Sequence, residues 1–181
     1  MDKTTNQLLI IFGASGDLTA RKLLPSLFEL HLKKLLPERF AILGAARTDF
    51  TDDEFRKQTE VHLLEVFRGK PEKADQIPSF LRLIYYVAFD STVSEEYGKL
   101  KEKIEYLQRE QQLGDRIIFY LATPPVMYER IPTFLQDNGL NLAKTDEGWR
   151  RIIVEKPFGT SLATAQHLNR HLSSIFKEKE I

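Results

Sequence analysis

The sequence has no cysteine, and that absence removes disulfides, zinc ribbons, iron–sulfur ligation and thiol nucleophiles. It suits a reducing, cytoplasmic setting. A charge bias is missing as well: 26 Lys+Arg stand against 26 Asp+Glu, a formal net charge of zero. A nucleic-acid arm or a polybasic membrane patch needs an excess of one sign, so neither nucleic acid nor membrane is an expected partner. Long apolar runs are lacking too. The longest near the N-terminus is Leu8 to Phe12, too short to span a bilayer and short for the apolar core of a secretory leader. There is no internal repeat and no Walker A loop, since Gly69-Lys70 is followed by Pro71 and Gly98-Lys99 by Leu100. Ser15 is not a nucleophile-elbow serine, because Asp17 stands where a glycine is needed.

What is present is an alternation of short apolar runs with longer amphipathic ones. The 181 residues suit one domain that buries about two-thirds of its unfolded surface. Gln7 to Phe12 reads as a buried strand stopped by Gly13. Asp17 to about Leu36 reads as a helix that Pro25 should kink or split, because proline removes a donor and clashes with the preceding turn. Phe40 to Ala46 is a second strand. Thr51 to Glu54 is a capping box opening a second helix, with Phe55, His62, Leu63 and Val66 as its expected inner face and Gly69 and Pro71 ending it.

Residues 70–80 read as a polar connection, and Leu83 to Phe89 as a third strand. From Ser94 to Leu113, Tyr97, Leu100, Ile104 and Leu107 recur at helical spacing before Gly114. Ile117 to Ala122 is a fourth strand. Val126 to Asn138 is a helix with Pro132 as a candidate interruption, and Arg151 to Val154 is a fifth strand. Ser161 to Phe176 is a last helix, with Leu162, Ala165, Leu168, Leu172 and Ile175 on one side. Five strands separated by helices predict an α/β fold, a Rossmann-like doubly wound parallel sheet covered on both faces. The expected order is 3-2-1-4-5, with the ligand at the carboxyl ends of strands one and four.

Four segments fall on that edge. Gly13-Ala14-Ser15-Gly16-Asp17-Leu18 follows strand one and opens a helix, the context of a dinucleotide phosphate turn: glycines let the backbone approach a phosphate, and free amides at the helix start bind it. Its Gly-x-x-Gly spacing is shorter than the full fingerprint, and an ordinary strand-to-helix turn is the alternative. Arg47 with Thr48 follows strand two, where an NAD-preferring site carries a carboxylate. A guanidinium there suits the 2′-phosphate of NADP, although Asp49 offers a local ion pair instead. Ala122-Thr123-Pro124-Pro125 ends strand four opposite the glycine turn. Glu155-Lys156-Pro157-Phe158-Gly159 ends strand five, with Lys156 suited to a phosphate, a sugar hydroxyl or a carboxamide and Lys156–Pro157 a candidate cis bond. His167 and His171, four apart, read as surface spacing rather than a metal site. His31 and His62 read as structural.

These motifs together resemble the glucose-6-phosphate dehydrogenase family. The resemblance rests on Gly13 to Leu18, Arg21-Lys22-Leu23 and Pro25, Ala46-Arg47, Leu121-Ala122-x-Pro124-Pro125 and Glu155 to Gly159, and covers about Gln7 to Asn169. It implies NADP-linked oxidation of β-D-glucose 6-phosphate to the phosphogluconolactone, in the oxidative pentose phosphate pathway. Gly13, Ala14, Ser15, Gly16, Asp17 and Leu18 would hold the pyrophosphate and Arg47 with Thr48 the 2′-phosphate. Asp90 would lie near the adenosine half. Lys156 would face both substrate and nicotinamide, and Pro157 would be cis. Ser161 stands where the family often has Asp, and Thr123 where it commonly has an apolar residue. The family's Arg-Ile-Asp-His-Tyr-Leu-Gly-Lys motif, its general base and its large second domain are not among the 181 residues.

The resemblance therefore implies residues 1–181 as one coenzyme domain, with no catalytic residue of the family, no turnover alone, and monomeric where the parent enzyme is a homo-oligomer. Two alternatives stand beside it. One is the coenzyme domain of a glucose–fructose oxidoreductase-like enzyme, whose group usually carries a Gly-x-Gly turn. The other is a non-catalytic NADP-binding or interaction module.

Overall fold

The computed structural model describes residues 5–181. Five parallel strands, β1 (Gln7–Phe12), β2 (Phe40–Ala46), β3 (Ile84–Ala88), β4 (Arg116–Leu121) and β5 (Trp149–Val154), form one sheet in the order β3-β2-β1-β4-β5. Every pairing is parallel, from Leu9 opposite Ile42 to Phe119 opposite Ile152. β1 is central, which is why its sequence is an unbroken apolar run: both of its faces are buried.

Helices α1 (Leu24–Leu32), α2 (Asp52–Val66), α3 (Pro71–Ala74) and α4 (Ile77–Leu81) lie between the first three strands in sequence. Phe28, Phe55, Leu63 and Phe80 pack there with Leu9, Ile11, Ile42 and Ile84. On the other face α5 (Tyr97–Glu110), α6 (Met127–Asp137) and α7 (Leu162–Ile175) bury Tyr97, Leu100, Ile131 and Leu172 against Leu8, Ile10, Phe12, Ile117 and Phe119. The close approach of α2 depends on Gly44: a Cβ there would lie 2.8 Å from Phe55 Cε1 and 2.9 Å from Ala14 Cβ.

Several local expectations are corrected. The first helix divides beside Pro25, as a change of type rather than an end: a π-helical turn over Thr19–Leu23 runs directly into α1, whose second residue is Pro25, and the wider π turn accommodates the missing N–H. The helix stops at Leu32 rather than Leu36, because Lys33 caps it and Lys34 turns left-handed at φ 55°. α2 keeps its capping box, but its inner face uses Phe55, Thr59 and Leu63, with Phe67 just beyond; Val66 is exposed. The connection at 70–80 is not simply polar, since α3 and α4 form there and Ile77 and Phe80 are fully buried.

The fifth-strand boundary also moves, because β5 begins at Trp149 and includes Arg150. α5 ends at Glu110, where Gln112 at φ 50° turns the chain before Gly114 does so again. α6 runs through Pro132 without a break. α7 starts after a capping box of Ser161 and Thr164, leaving Leu162 exposed outside its inner face.

At the amino edge of β4 and β5 sits a buried ion pair. Arg150, 4% exposed, reaches Asp115 Oδ1 at 2.6 Å and donates to the carbonyls of Asp115 at 2.8 Å, Trp149 at 3.1 Å and Leu140 at 3.2 Å. The other oxygen of Asp115 accepts from the amides of Lys144 and Thr145. Burial pushes the Asp115 carboxyl up, but Arg150 and the two amides outweigh it and hold the group below the usual carboxylate range.

Candidate coenzyme site

At the opposite, carboxyl edge, the chain leaves β1 through Gly13. Its φ of 78° is a left-handed conformation, and a Cβ would stand 2.6 Å from the Ala122 carbonyl oxygen, so two constraints demand glycine. Gly13 N–H donates to Ala45 O at 2.9 Å, and Ala122 N–H donates to Phe12 O at 3.0 Å. The turn is thereby sewn to the ends of both β2 and β4. Gly16 N–H folds back onto Gly13 O at 2.9 Å, and Thr19 Oγ1 donates to the same oxygen at 3.3 Å. Among the described residues the N–H groups of Ser15, Asp17 and Leu18 meet no backbone acceptor, as expected of a helix start open to an anion.

A cleft of about 740 Å³ opens over this turn, within the usual span of small-molecule sites. Gly13, Ser15 and Gly16 form part of its wall, Arg47 and Thr48 another, and Asp90 with Thr92 a third; Thr123 and Pro124 face them. Four separate strand ends thus deliver residues that are far apart in sequence to one place. Of the residues singled out from the sequence, Gly13, Ser15, Gly16, Arg47, Thr48 and Asp90 meet here. Ala14 is buried beneath the turn, while Asp17, paired with Arg21, and Leu18 are exposed outside the lining. Lys156 is likewise exposed beyond the cleft, after β5.

The loop carrying Arg47 is held in place. Thr48 Oγ1 donates to Ser15 Oγ at 3.0 Å, and Tyr86 O–H donates to Thr48 O at 2.9 Å. Among the described residues Arg47 has no carboxylate within ion-pair distance, so the local pair with Asp49 does not form. Asp90 accepts from Thr92 Oγ1 at 2.7 Å and Thr92 N–H at 2.8 Å. Those bonds, helped by the Arg47 charge, hold its carboxyl low. The wall therefore presents a free guanidinium beside a fixed carboxylate.

Beyond the cleft, the peptide bond Lys156–Pro157 is cis. Tyr120 O–H donates to the Glu155 carboxylate across the ends of β4 and β5; burial and that carboxylate push the phenol well above its ordinary range. None of the four histidines lines the cleft. His31 lies against Phe28 and bonds Ser79 Oγ at 2.9 Å, and His171 faces Thr133 Oγ1 at 3.1 Å and Glu129 O at 3.0 Å. The sequence places Thr123 in a segment on the ligand edge without giving it a role. Its position after a strand ending at the switch point was the available signal, and its hydroxyl environment was not legible.

Fold and cleft together define a doubly wound α/β domain of the dinucleotide-binding class: a glycine turn at the switch point, open amides and a cleft over the strand ends. The family model described as "Glucose-6-phosphate dehydrogenase, NAD binding domain" matches residues 10–181. The chain belongs to that family. It is 42% identical over 173 residues to the glucose-6-phosphate 1-dehydrogenase of Treponema pallidum (strain Nichols), covering 96% of this chain and 33% of that protein. It is 40% identical over 179 residues to that of Aggregatibacter actinomycetemcomitans, covering 99% and 35%. A solved structure described as glucose-6-phosphate dehydrogenase in complex with its substrate glucose-6-phosphate superposes with a TM-score of 0.82 at 32% identity, over 99% of this chain and 36% of that one. The chain spans about a third of the length of the curated relatives it matches. No helix among the described residues is long and apolar enough to cross a membrane.

Proposed function

We propose that residues 1–181 form the coenzyme domain of a cytoplasmic glucose-6-phosphate dehydrogenase, with NADP⁺ as coenzyme and glucose 6-phosphate as the sugar partner. The observation that carries the coenzyme reading is the unpaired Arg47 on the wall beside a glycine turn whose amides are open. The residues fit the group. The open amides of Ser15, Asp17 and Leu18 would hold the pyrophosphate by backbone donation, with Gly13 and Gly16 letting it approach the turn closely. Arg47 and Thr48 would hold the 2′-phosphate, which a carboxylate at that position would repel. Asp90 would accept from the adenosine half.

When bound, the coenzyme supplies the hydride acceptor for oxidation of the sugar. This chain's part is to hold it in one orientation across the strand ends and to present Lys156 where sugar and nicotinamide meet. Glu155, held by Tyr120, fixes the chain on the near side of that lysine. With no histidine lining the cleft, the 181 residues should bind coenzyme and leave glucose 6-phosphate unoxidised. NADP⁺ reduction by the pure chain would refute that division.

Calorimetric titration with NADP⁺ and NAD⁺ tests the reading. A charge-assisted bond is worth roughly 1.5–3 kcal/mol, so NADP⁺ should bind about 10- to 100-fold more tightly. Arg47→Ala should abolish that difference. Equal affinities in the unaltered chain would remove the 2′-phosphate assignment.

A further inference from the structure

Thr123 is the first residue after Ala122 on the β4 side of the cleft. Its Oγ1 is buried and, among the described residues, is the only buried side-chain polar atom without a hydrogen-bond partner. The next residue is proline, which has no N–H to offer it. Its methyl lies on the turn side, with Cγ2 3.2 Å from the point where a Cβ on Gly13 would stand. An unsatisfied buried hydroxyl disfavours the folded state, and valine, of the same shape, would remove that penalty. The fold alone is thus better served without a hydroxyl at this position.

We propose that Thr123 is a coenzyme-binding residue of this chain, its hydroxyl satisfied by an oxygen of the dinucleotide's sugar–phosphate core at the glycine turn. One rotamer step about Cα–Cβ carries the hydroxyl into the place of the methyl, on the side facing Gly13, while the methyl moves to the place of the Cβ hydrogen. Arg47 and Asp90 stand at the ends of β2 and β3, on the other side of the turn. With the 2′-phosphate at Arg47, the part of the ligand nearest β4 is the nicotinamide-side phosphate and ribose, both rich in acceptors. The inference rests on the coenzyme reading above and adds a contact that backbone amides and Arg47 do not supply.

The test is calorimetric titration of the 181-residue chain, Thr123→Val and Thr123→Ser with NADP⁺ and with adenosine 2′,5′-bisphosphate, together with melting of each chain without ligand. Thr123→Val should bind NADP⁺ roughly 3- to 10-fold more weakly, the loss of one neutral hydrogen bond. Thr123→Ser should stay within about twofold of the unaltered chain. The bisphosphate, which lacks the nicotinamide half, should bind all three alike. The melting temperature of Thr123→Val should equal or exceed that of the unaltered chain, a sign opposite to that of a structural role. Unchanged NADP⁺ affinity in Thr123→Val overturns the proposal, and so does weakening of both ligands with a lowered melting temperature. In either case the unaltered chain still binds NADP⁺ and the coenzyme reading stands. Failure of the unaltered chain to bind NADP⁺ overturns both.

Discussion

Gly13 and Gly16 are three residues apart in one turn, yet alanine should act differently at each. At Gly13 a Cβ would stand 2.6 Å from Ala122 O, about 0.8 Å inside the 3.4 Å at which ordinary contact begins. The obstacle is backbone, fixed by Ala122 N–H bonding Phe12 O, so β1 and β4 must separate locally. The left-handed φ of 78° adds roughly 1–2 kcal/mol for a residue with a side chain, and the overpacking roughly 1–3 kcal/mol. Gly13→Ala should thus lose about 2–5 kcal/mol of a total of the order of 5–15 kcal/mol. Gly16 has an ordinary φ and one near contact, Gly13 O at 3.0 Å, which a small shift relieves. Gly16→Ala should change stability by less than about 1 kcal/mol, because restricting the unfolded chain offsets the contact. Its methyl, however, would stand in the wall proposed to receive the phosphates. Urea unfolding followed by the single tryptophan, Trp149, reads the first effect, and NADP⁺ titration the second. The expected pattern is a large fall in the Gly13→Ala midpoint, and a near-native Gly16→Ala midpoint with coenzyme affinity down tenfold or more. Equal midpoints for the two variants, or full affinity in Gly16→Ala, would refute the reasoning.

Two further outcomes concern the fold. Arg150→Leu leaves the Asp115 carboxylate buried without its cation and should cost about 3–5 kcal/mol in urea unfolding; a loss under about 1 kcal/mol would show that the two amides on Asp115 suffice. Because the Asp115 carboxyl is held low, its contribution is present at neutral pH and is lost as pH falls through that lowered value. His31 behaves as a base disfavoured by burial, so the unfolded chain binds its proton first as pH falls below about 6.5. Stability should drop through that range in the unaltered chain and drop less in His31→Gln, as read by melting temperature at pH 8 and pH 5. Identical slopes would show that His31 carries no proton linkage.

What could be read in the sequence follows from which interactions are local. Strand runs such as Leu8–Phe12 are apolar because both faces are covered, and the capping box at Thr51 is a contact across three residues; each shows itself in one short window. The strand order and the glycine turn followed from alternation and handedness of the chain. The misread pieces depend on distant partners. Ile77 and Phe80 look like part of a Pro- and charge-rich connection until α4 is seen against Phe28. The Asp115–Arg150 pair joins residues 35 apart, and the apolar pattern alone starts β5 one residue after Arg150. At the site, Gly13 and Arg47 are legible because each directly follows a strand, and Asp90 only through the family resemblance. The tether from Thr48 to Ser15 and the stranded hydroxyl of Thr123 exist only once three loops meet.

The buried clasp of Arg150 and Asp115 lies at the end of the sheet opposite the coenzyme cleft. That separation gives mutation two independent territories. If the proposed coenzyme contacts hold, drift at the loops after β2 and β4 would retune which nucleotide is preferred while the clasp continued to anchor the sheet. Drift at the clasp endangers the whole fold before it touches selectivity. A lineage altering its cofactor economy would accordingly accumulate changes at one rim and stay nearly frozen at the other.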